Sequence, residues 1–227
     1  MNDEKTDRAP SQKSRVKPDE TGTKRIRLKG GALTAPVPPA LVTVADGDEK
    51  NVLTVAWTGI LATVPPTTYI SVRPRRHSYA MLKNSREFVL HLPPASLARK
   101  VDYCGTYTGA KVDKFEKCGF TLLPSDRVAA PTVAECPVAL ECRVKEILPM
   151  GSHDVFVSEI LSVSVDEKLM DGNGKLRLER ARLLAFGHGE YYALGERVGV
   201  FGFSAVKRRR GAPKTASKKG KNDGKRR

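Results

Sequence analysis

The feature that most restricts the fold is a series of short, β-branched runs, each cut off by a Pro- or Gly-containing turn, from about residue 41 to residue 195. LVTVAD (41–46) and NVLTVAWT (51–58) flank GDEK and read as a hairpin. TTYISV (67–72) follows the turn VPP, and FVLHL (88–92) is stopped by Pro93 and Pro94. ALECRVKEIL (139–148) and DVFVSEILSVSVD (154–166) flank the turn PMGSH, and LLAFGHGEYYALG (183–195) supplies a last strand. Helices are few: one from Ser78 with that serine as N-cap, one from Ser96 to Cys104, and a turn from Asp113 to Lys117 before Gly119. An alternating βαβ rhythm is missing, so the pattern predicts a closed or partly closed antiparallel barrel instead of a doubly wound parallel sheet.

Charge does not bear on that barrel. Of the net +15, about +4 falls in residues 1–29 and about +10 in residues 207–227, which leaves about +1 for residues 30–206. Both ends lack apolar periodicity and are expected to be disordered charged segments around one domain, 30–206. The polar first residues lack the apolar core of a secretory signal, and no apolar run is long enough to cross a bilayer, so a cytoplasmic location is expected. Cys104, Cys118, Cys136 and Cys142 form no CxxC pair and read as reduced, packed thiols.

The common catalytic signatures fail. Gly187-His-Gly189 lacks the third glycine of a dinucleotide fingerprint, and no GxxxxGK[ST] loop or GxSxG elbow occurs. His77, His91, His153 and His188 are far apart without ligand-spaced neighbours, so no metal site is expected. His91, inside a strand, reads as a packed histidine.

The stretch NVLTVAWTGILATVPPTTYISVRPRRHSYAMLK, Asn51 to Lys83, is the informative one. A strand ends in Ala-Trp-Thr, and a second strand ends in an Arg-rich loop that opens a helix. Free N–H groups of a first helical turn, a capping hydroxyl and guanidinium groups make a phosphate site, here from Arg73, Arg75, Arg76, Ser78 and Tyr79. A solvated basic turn with an ordinary cap is the alternative reading.

In order, NVLTVAWT, VPP, YISVRPRRHSYAMLKNS, REFVLHLPP and Thr108-Gly109-Ala-Lys-Val-Asp113-Lys114-Phe115 resemble the flavin reductase-like FMN-binding split barrels, which include flavoredoxins. Gly151-Ser152-His153 before an apolar strand resembles that family's Gly-Asp-His element, with serine in place of the aspartate. The resemblance implies a mainly β fold, an antiparallel Greek-key split barrel with a few short helices. It implies FMN as cofactor and NAD(P)H as electron donor. Thr54, Val55, Ala56, Trp57 and Thr58 would line the isoalloxazine, with Ser71, Val72 and Arg73 on the neighbouring strand. Arg76, His77, Ser78 and Tyr79 would hold the phosphate, and Thr108, Lys114 and Phe115 would close the far side, either from the same chain or from a partner subunit in a homodimer. His153 would stand on the nicotinamide side as the catalytic candidate. Trp57 reads either as core packing or as a neighbour of the flavin rim.

The resemblance implies an NAD(P)H-dependent flavin reductase, with a flavoredoxin-like electron carrier as the alternative. A polyanion-binding protein acting through residues 207–227 is the alternative of another class.

Overall fold

The computed structural model describes residues 25–205. The sheet begins with β1 (Ala40–Asp46), β2 (Glu49–Val55), β3 (Thr58–Thr63) and β4 (Pro66–Val72), followed by α1 (His77–Ser85) and β5 (Glu87–Leu92). After a 3-10 turn come α2 (Ala98–Thr106), α3 (Lys114–Cys118), the two-residue strands β6 (Leu122–Leu123) and β7 (Thr132–Val133), and the long hairpin β8 (Val138–Pro149) and β9 (Asp154–Val165). A small hairpin, β10 (Leu184–Gly187) and β11 (Glu190–Ala193), follows.

Seven strands form one sheet in the order β2-β1-β5-β8-β9-β4-β3, antiparallel throughout. The sheet curls, because strands near its two ends share one core. Val42 and Val44 of β1, Val55 of β2, Ile70 of β4, Phe88 of β5 and Phe156 of β9 belong to a single buried cluster. Met81 and Leu82 of α1 enter the same cluster and plug one end of the barrel. Six of the seven β1 residues are buried because both faces of that strand are covered. Val42 and Val44 face the barrel, while Leu41 packs on a second cluster with Val101 and Cys104 of α2 and Cys118 of α3. The fold is a mainly β split barrel. The split lies between the sheet's two end strands, β2 and β3, and beside it the Ser71 N–H of β4 donates to the Trp57 carbonyl at 3.0 Å.

Most expected strands appear within a residue or two of their sequence limits, with two exceptions. NVLTVAWT is not one strand: β2 stops at Val55, and a separate strand, β3, starts at Thr58 and turns at Val64-Pro65 into β4. LLAFGHGEYYALG is a hairpin, with His188 and Gly189 at φ 51° and 92° making the reversal. Ser78 does not cap α1. Arg76 is the extended cap residue, and Ser78 lies one position inside the first turn. In α3 the expectation is met locally: Asp113 accepts from the Phe115 and Glu116 N–H groups, and Gly119 closes the helix at φ 57°.

His91 is fully buried, and its ring joins two elements to its own strand. Nε2 accepts from the Val133 N–H at 2.9 Å, so Nδ1 carries the proton and donates to the Leu41 carbonyl at 3.1 Å. Burial holds its pKa down at about 4. All four cysteines are buried and unbridged. No described helix is long and apolar enough to cross a membrane.

The chain divides into two units at Leu194/Gly195. Of the second, residues 195–205 are described and contain one 3-10 turn, Phe203–Ala205. The expected disordered ends fall largely outside the described residues, on 1–24 and 206–227; residues 25–29 are exposed.

Candidate functional site

Two clefts open along the split and share Leu53 and Arg76 in their walls. The first, about 370 Å³, lies where β2 and β4 end. Thr54 to Trp57 form one side, Ser71 to Arg73 the other, and His153 from the β8–β9 turn stands at its edge. Ser71, Val72 and Arg73 thus lie across the first cleft from Thr54, Val55, Ala56 and Trp57.

Trp57 is not a core residue: it is 43 % exposed, and its ring lies 4.4 Å from the His153 ring, centroid to centroid. Arg73 Nε donates to His153 Nε2 at 3.2 Å, which places the remaining imidazole proton on Nδ1, donating to Ser152 Oγ at 2.9 Å. Burial, together with Arg73 and Arg76, pushes the His153 pKa below its ordinary value. The ring is thus a neutral acceptor, held between a guanidinium and an indole.

The second cleft, about 430 Å³, runs between the start of α1 and the segment from Cys104 to Lys114. Arg75, Arg76 and Lys114 line it, and no aspartate or glutamate does among the described residues. Arg76 is aimed by its bond to the Gly105 carbonyl at 2.9 Å. Lys114 is only 3 % exposed, and its ammonium donates to the Cys104 carbonyl at 3.1 Å. No carboxylate lies within ion-pair distance of it among the described residues. Burial first, with Arg76 adding repulsion, lowers its pKa to about 8. A buried cation with donors to spare and no counter-charge is built to receive an anion.

The hydroxyl beside it is prepared in the same sense. Asn51 Nδ2 donates to Ser78 Oγ at 2.7 Å, so the Ser78 proton is free to point elsewhere. Asn51 in turn fills the space above Gly109: a Cβ built there would lie 2.4 Å from the Asn51 amide oxygen. Glycine at 109 is therefore what allows Asn51 to reach Ser78. Sequence reasoning missed Asn51, whose signal was a polar side chain, 4 % exposed, within a β-branched strand. It also missed the Cys104 and Gly105 carbonyls, which no side-chain pattern reveals.

His77 and Thr108 line this cleft too, His77 Nε2 being bound to Glu49 at 2.7 Å. Three expected residues point their side chains elsewhere. Thr58 donates to the Tyr69 carbonyl and lines neither cleft. Tyr79 donates to Asp154 at 2.6 Å and packs edge-on against Phe156, while its N–H is taken by the Arg76 carbonyl. Phe115 packs into the cluster under α2. Each follows from its position: Tyr79 and Phe115 face the core of their helices, and Thr58 begins β3 on the far side of the split.

The residues present fit a ligand with a planar ring joined to a phosphate. The first cleft offers backbone edges and an aromatic wall, and the second offers donors and unbalanced positive charge.

A split barrel with an anion cleft opening from its seam defines a structural class, and the sequence places the chain within it. The family model described as "Flavin reductase like domain" matches residues 33–195, and the chain belongs to that family. An uncharacterized protein of Archaeoglobus fulgidus is 34% identical over 145 residues, 63% of this chain and 82% of its own length. Among solved structures, the flavoredoxin of Desulfovibrio vulgaris (Miyazaki F) is 30% identical with a TM-score of 0.74, covering 79% of this chain and 98% of its own. The FMN-binding protein of Thermus thermophilus shares the fold at 24% identity, with a TM-score of 0.67 and coverage of 78% of this chain and 99% of its own.

Proposed function

We propose that this chain is a flavoprotein that holds FMN across the two joined clefts and passes electrons to it from NAD(P)H, as an NAD(P)H:FMN oxidoreductase. The observation that carries the reading is Lys114, a buried cation without a carboxylate partner, in a cleft continuous with one walled by Thr54–Trp57 and Ser71–Arg73. Arg76, Ser78 and Lys114 would hold the phosphate, with His77 and Thr108 at the margins. The backbones of Thr54 to Trp57 and Ser71 to Arg73 would hold the ring. FMN, when bound, supplies the redox chemistry itself, accepting a hydride from a nicotinamide without a protein acid or base. The chain's own work is to orient two rings face to face and to keep water from them. His153, neutral and accepting from Arg73, is a positioning residue on the open side of the ring cleft, where it fixes Trp57 and Arg73.

A second reading, an electron carrier that retains FMN and takes electrons from a protein donor, is favoured by the 30% identity to a flavoredoxin. The visible spectrum of purified protein, followed by titration with FMN, tests both; a colourless protein that does not bind added FMN sinks them. Steady-state NAD(P)H oxidation with free flavin then separates them, since a carrier shows little. We propose a homodimer as well, supported by the exposed Ile60, Leu61 and Val64 on the β3–β4 hairpin; sedimentation at the monomer mass overturns it. A cytoplasmic location is proposed on the sequence alone. Polyanion binding through residues 207–227 concerns residues beyond those described, and salt-sensitive nucleic-acid binding lost on their deletion would favour it.

A further inference from the structure

We propose that Lys114 is a covalent modification site, whose amine attacks an acyl phosphate seated in the anion cleft and becomes an acyl-lysine. The inference needs a cleft that receives a phosphate but no flavin, so it goes beyond the reading above. Lys114 is the one buried lysine or arginine among the described residues, and it lines the cleft from the first position of α3. One of its N–H groups is committed to the Cys104 carbonyl at 3.1 Å, and no carboxylate among the described residues balances its charge. A lysine becomes a nucleophile when it is taken out of water and set beside another cation. Both act here, since burial first and then Arg76 bring its pKa down to about 8. At that pH about half of such amines carry no proton, on the order of 100-fold more than for an ordinary lysine.

The other donors of the cleft suit the phosphate half of such a mixed anhydride. Arg75, Arg76 and Ser78 line it together with Lys114. Arg76 is steadied on the Gly105 carbonyl, and the Ser78 proton is left free because Asn51 donates to its oxygen. Holding the phosphate there keeps the acyl carbon beside the amine, which replaces a collision from solution by a step within one complex. The unprotonated Nζ forms a bond to the acyl carbon, and the bond from that carbon to the bridging oxygen breaks. Inorganic phosphate leaves with that electron pair and with the proton the amine gives up. The thiols facing Lys114 do not compete: burial raises the pKa values of Cys104 on α2 and Cys118 on α3 and keeps both protonated. Across the cleft stand Arg75, Arg76 and His77. Acylation leaves a neutral amide in place of one of the cleft's cations.

The test is peptide mass mapping of the full-length protein after incubation with acetyl phosphate. At about pH 8, Lys114 is expected to gain the acetyl group at least about tenfold faster than the exposed Lys83 and Lys175. Its rate should level off above about pH 8, while theirs keep climbing toward about pH 10. Inorganic phosphate, which carries no acyl group, should slow Lys114 alone. Arg75→Gln should slow it several-fold with acetyl phosphate but not with para-nitrophenyl acetate, a donor without phosphate. Labelling of Lys114 no faster than that of the two exposed lysines overturns the inference. So does labelling indifferent to inorganic phosphate, transfer to Cys104 instead, or an Arg75→Gln variant that slows both donors alike. A chain that is acylated at Lys114 in this way but never binds FMN keeps the inference and removes the flavin reading.

Discussion

Lys114 carries two opposing duties, and they can be separated by substitution. Its charge is costly in an empty cleft and useful in a filled one, so Lys114→Met should leave the ligand-free protein as stable or more stable. FMN affinity should fall roughly 10- to 100-fold, as for loss of a charged hydrogen bond, while riboflavin affinity barely changes. Flavin fluorescence titration reads both. Because its pKa lies at about 8, below the ordinary lysine value, the charge is complete below that pH and lost above it. FMN binding should therefore weaken as pH rises through about 8, with riboflavin flat; parallel profiles would remove Lys114 from the phosphate site. Gly109→Ala acts on the same site from behind. The new Cβ would displace the Asn51 amide from Ser78, and FMN affinity should drop on the order of tenfold, with little change in urea midpoint.

At the scale of elements, α3 shows how a short motif carries a function. Asp113 takes two N–H groups of a five-residue helix whose first residue is Lys114. Asp113→Ala should cost about 1 kcal/mol in denaturant unfolding and loosen Lys114, whereas Asp113→Asn should retain most of both. That cap was readable, because Asp followed by Gly six residues later brackets a helix by local chemistry alone. The strands of the sheet were readable for a similar reason, since β-branched runs bounded by proline leave few alternatives. β3 was not. TGILAT alternates poorly, exposes four of its six residues in a row, and is separated from β2 by only two residues, so no turn signal marks its start. The site divides along the same line. Arg76, Ser78 and Lys114 belong to motifs that the sequence displays, and they line one cleft; Asn51 and the Cys104 and Gly105 carbonyls act through contacts between distant segments, and no local pattern encodes them. Tyr79 and Thr58 show the converse limit, in which a segment that borders a cleft does not turn every side chain toward it.

Across the whole molecule, His91 ties β1, β5 and β7 together and makes the barrel sensitive to acid. Its folded pKa of about 4 lies below the 6.5 of an unfolded histidine. Its contribution is therefore whole above about pH 6.5 and is lost as pH falls toward 4. The full difference amounts to about 3 kcal/mol. Urea unfolding at pH 7 and at pH 4.5 should show most of it, and a His91→Gln variant with an undiminished pH slope would sink the assignment. The crowd of cations along the seam has a broader consequence. Any anion that enters relieves their repulsion, and a species that binds only the folded state raises its stability by mass action. Inorganic phosphate should lift the thermal midpoint where chloride at equal ionic strength does not. In a living cell, chains left empty by a shortage of vitamin would open more often and meet proteases first. The amount of this protein would then follow the nutritional supply of its ligand, with no regulator required beyond three side chains of like sign.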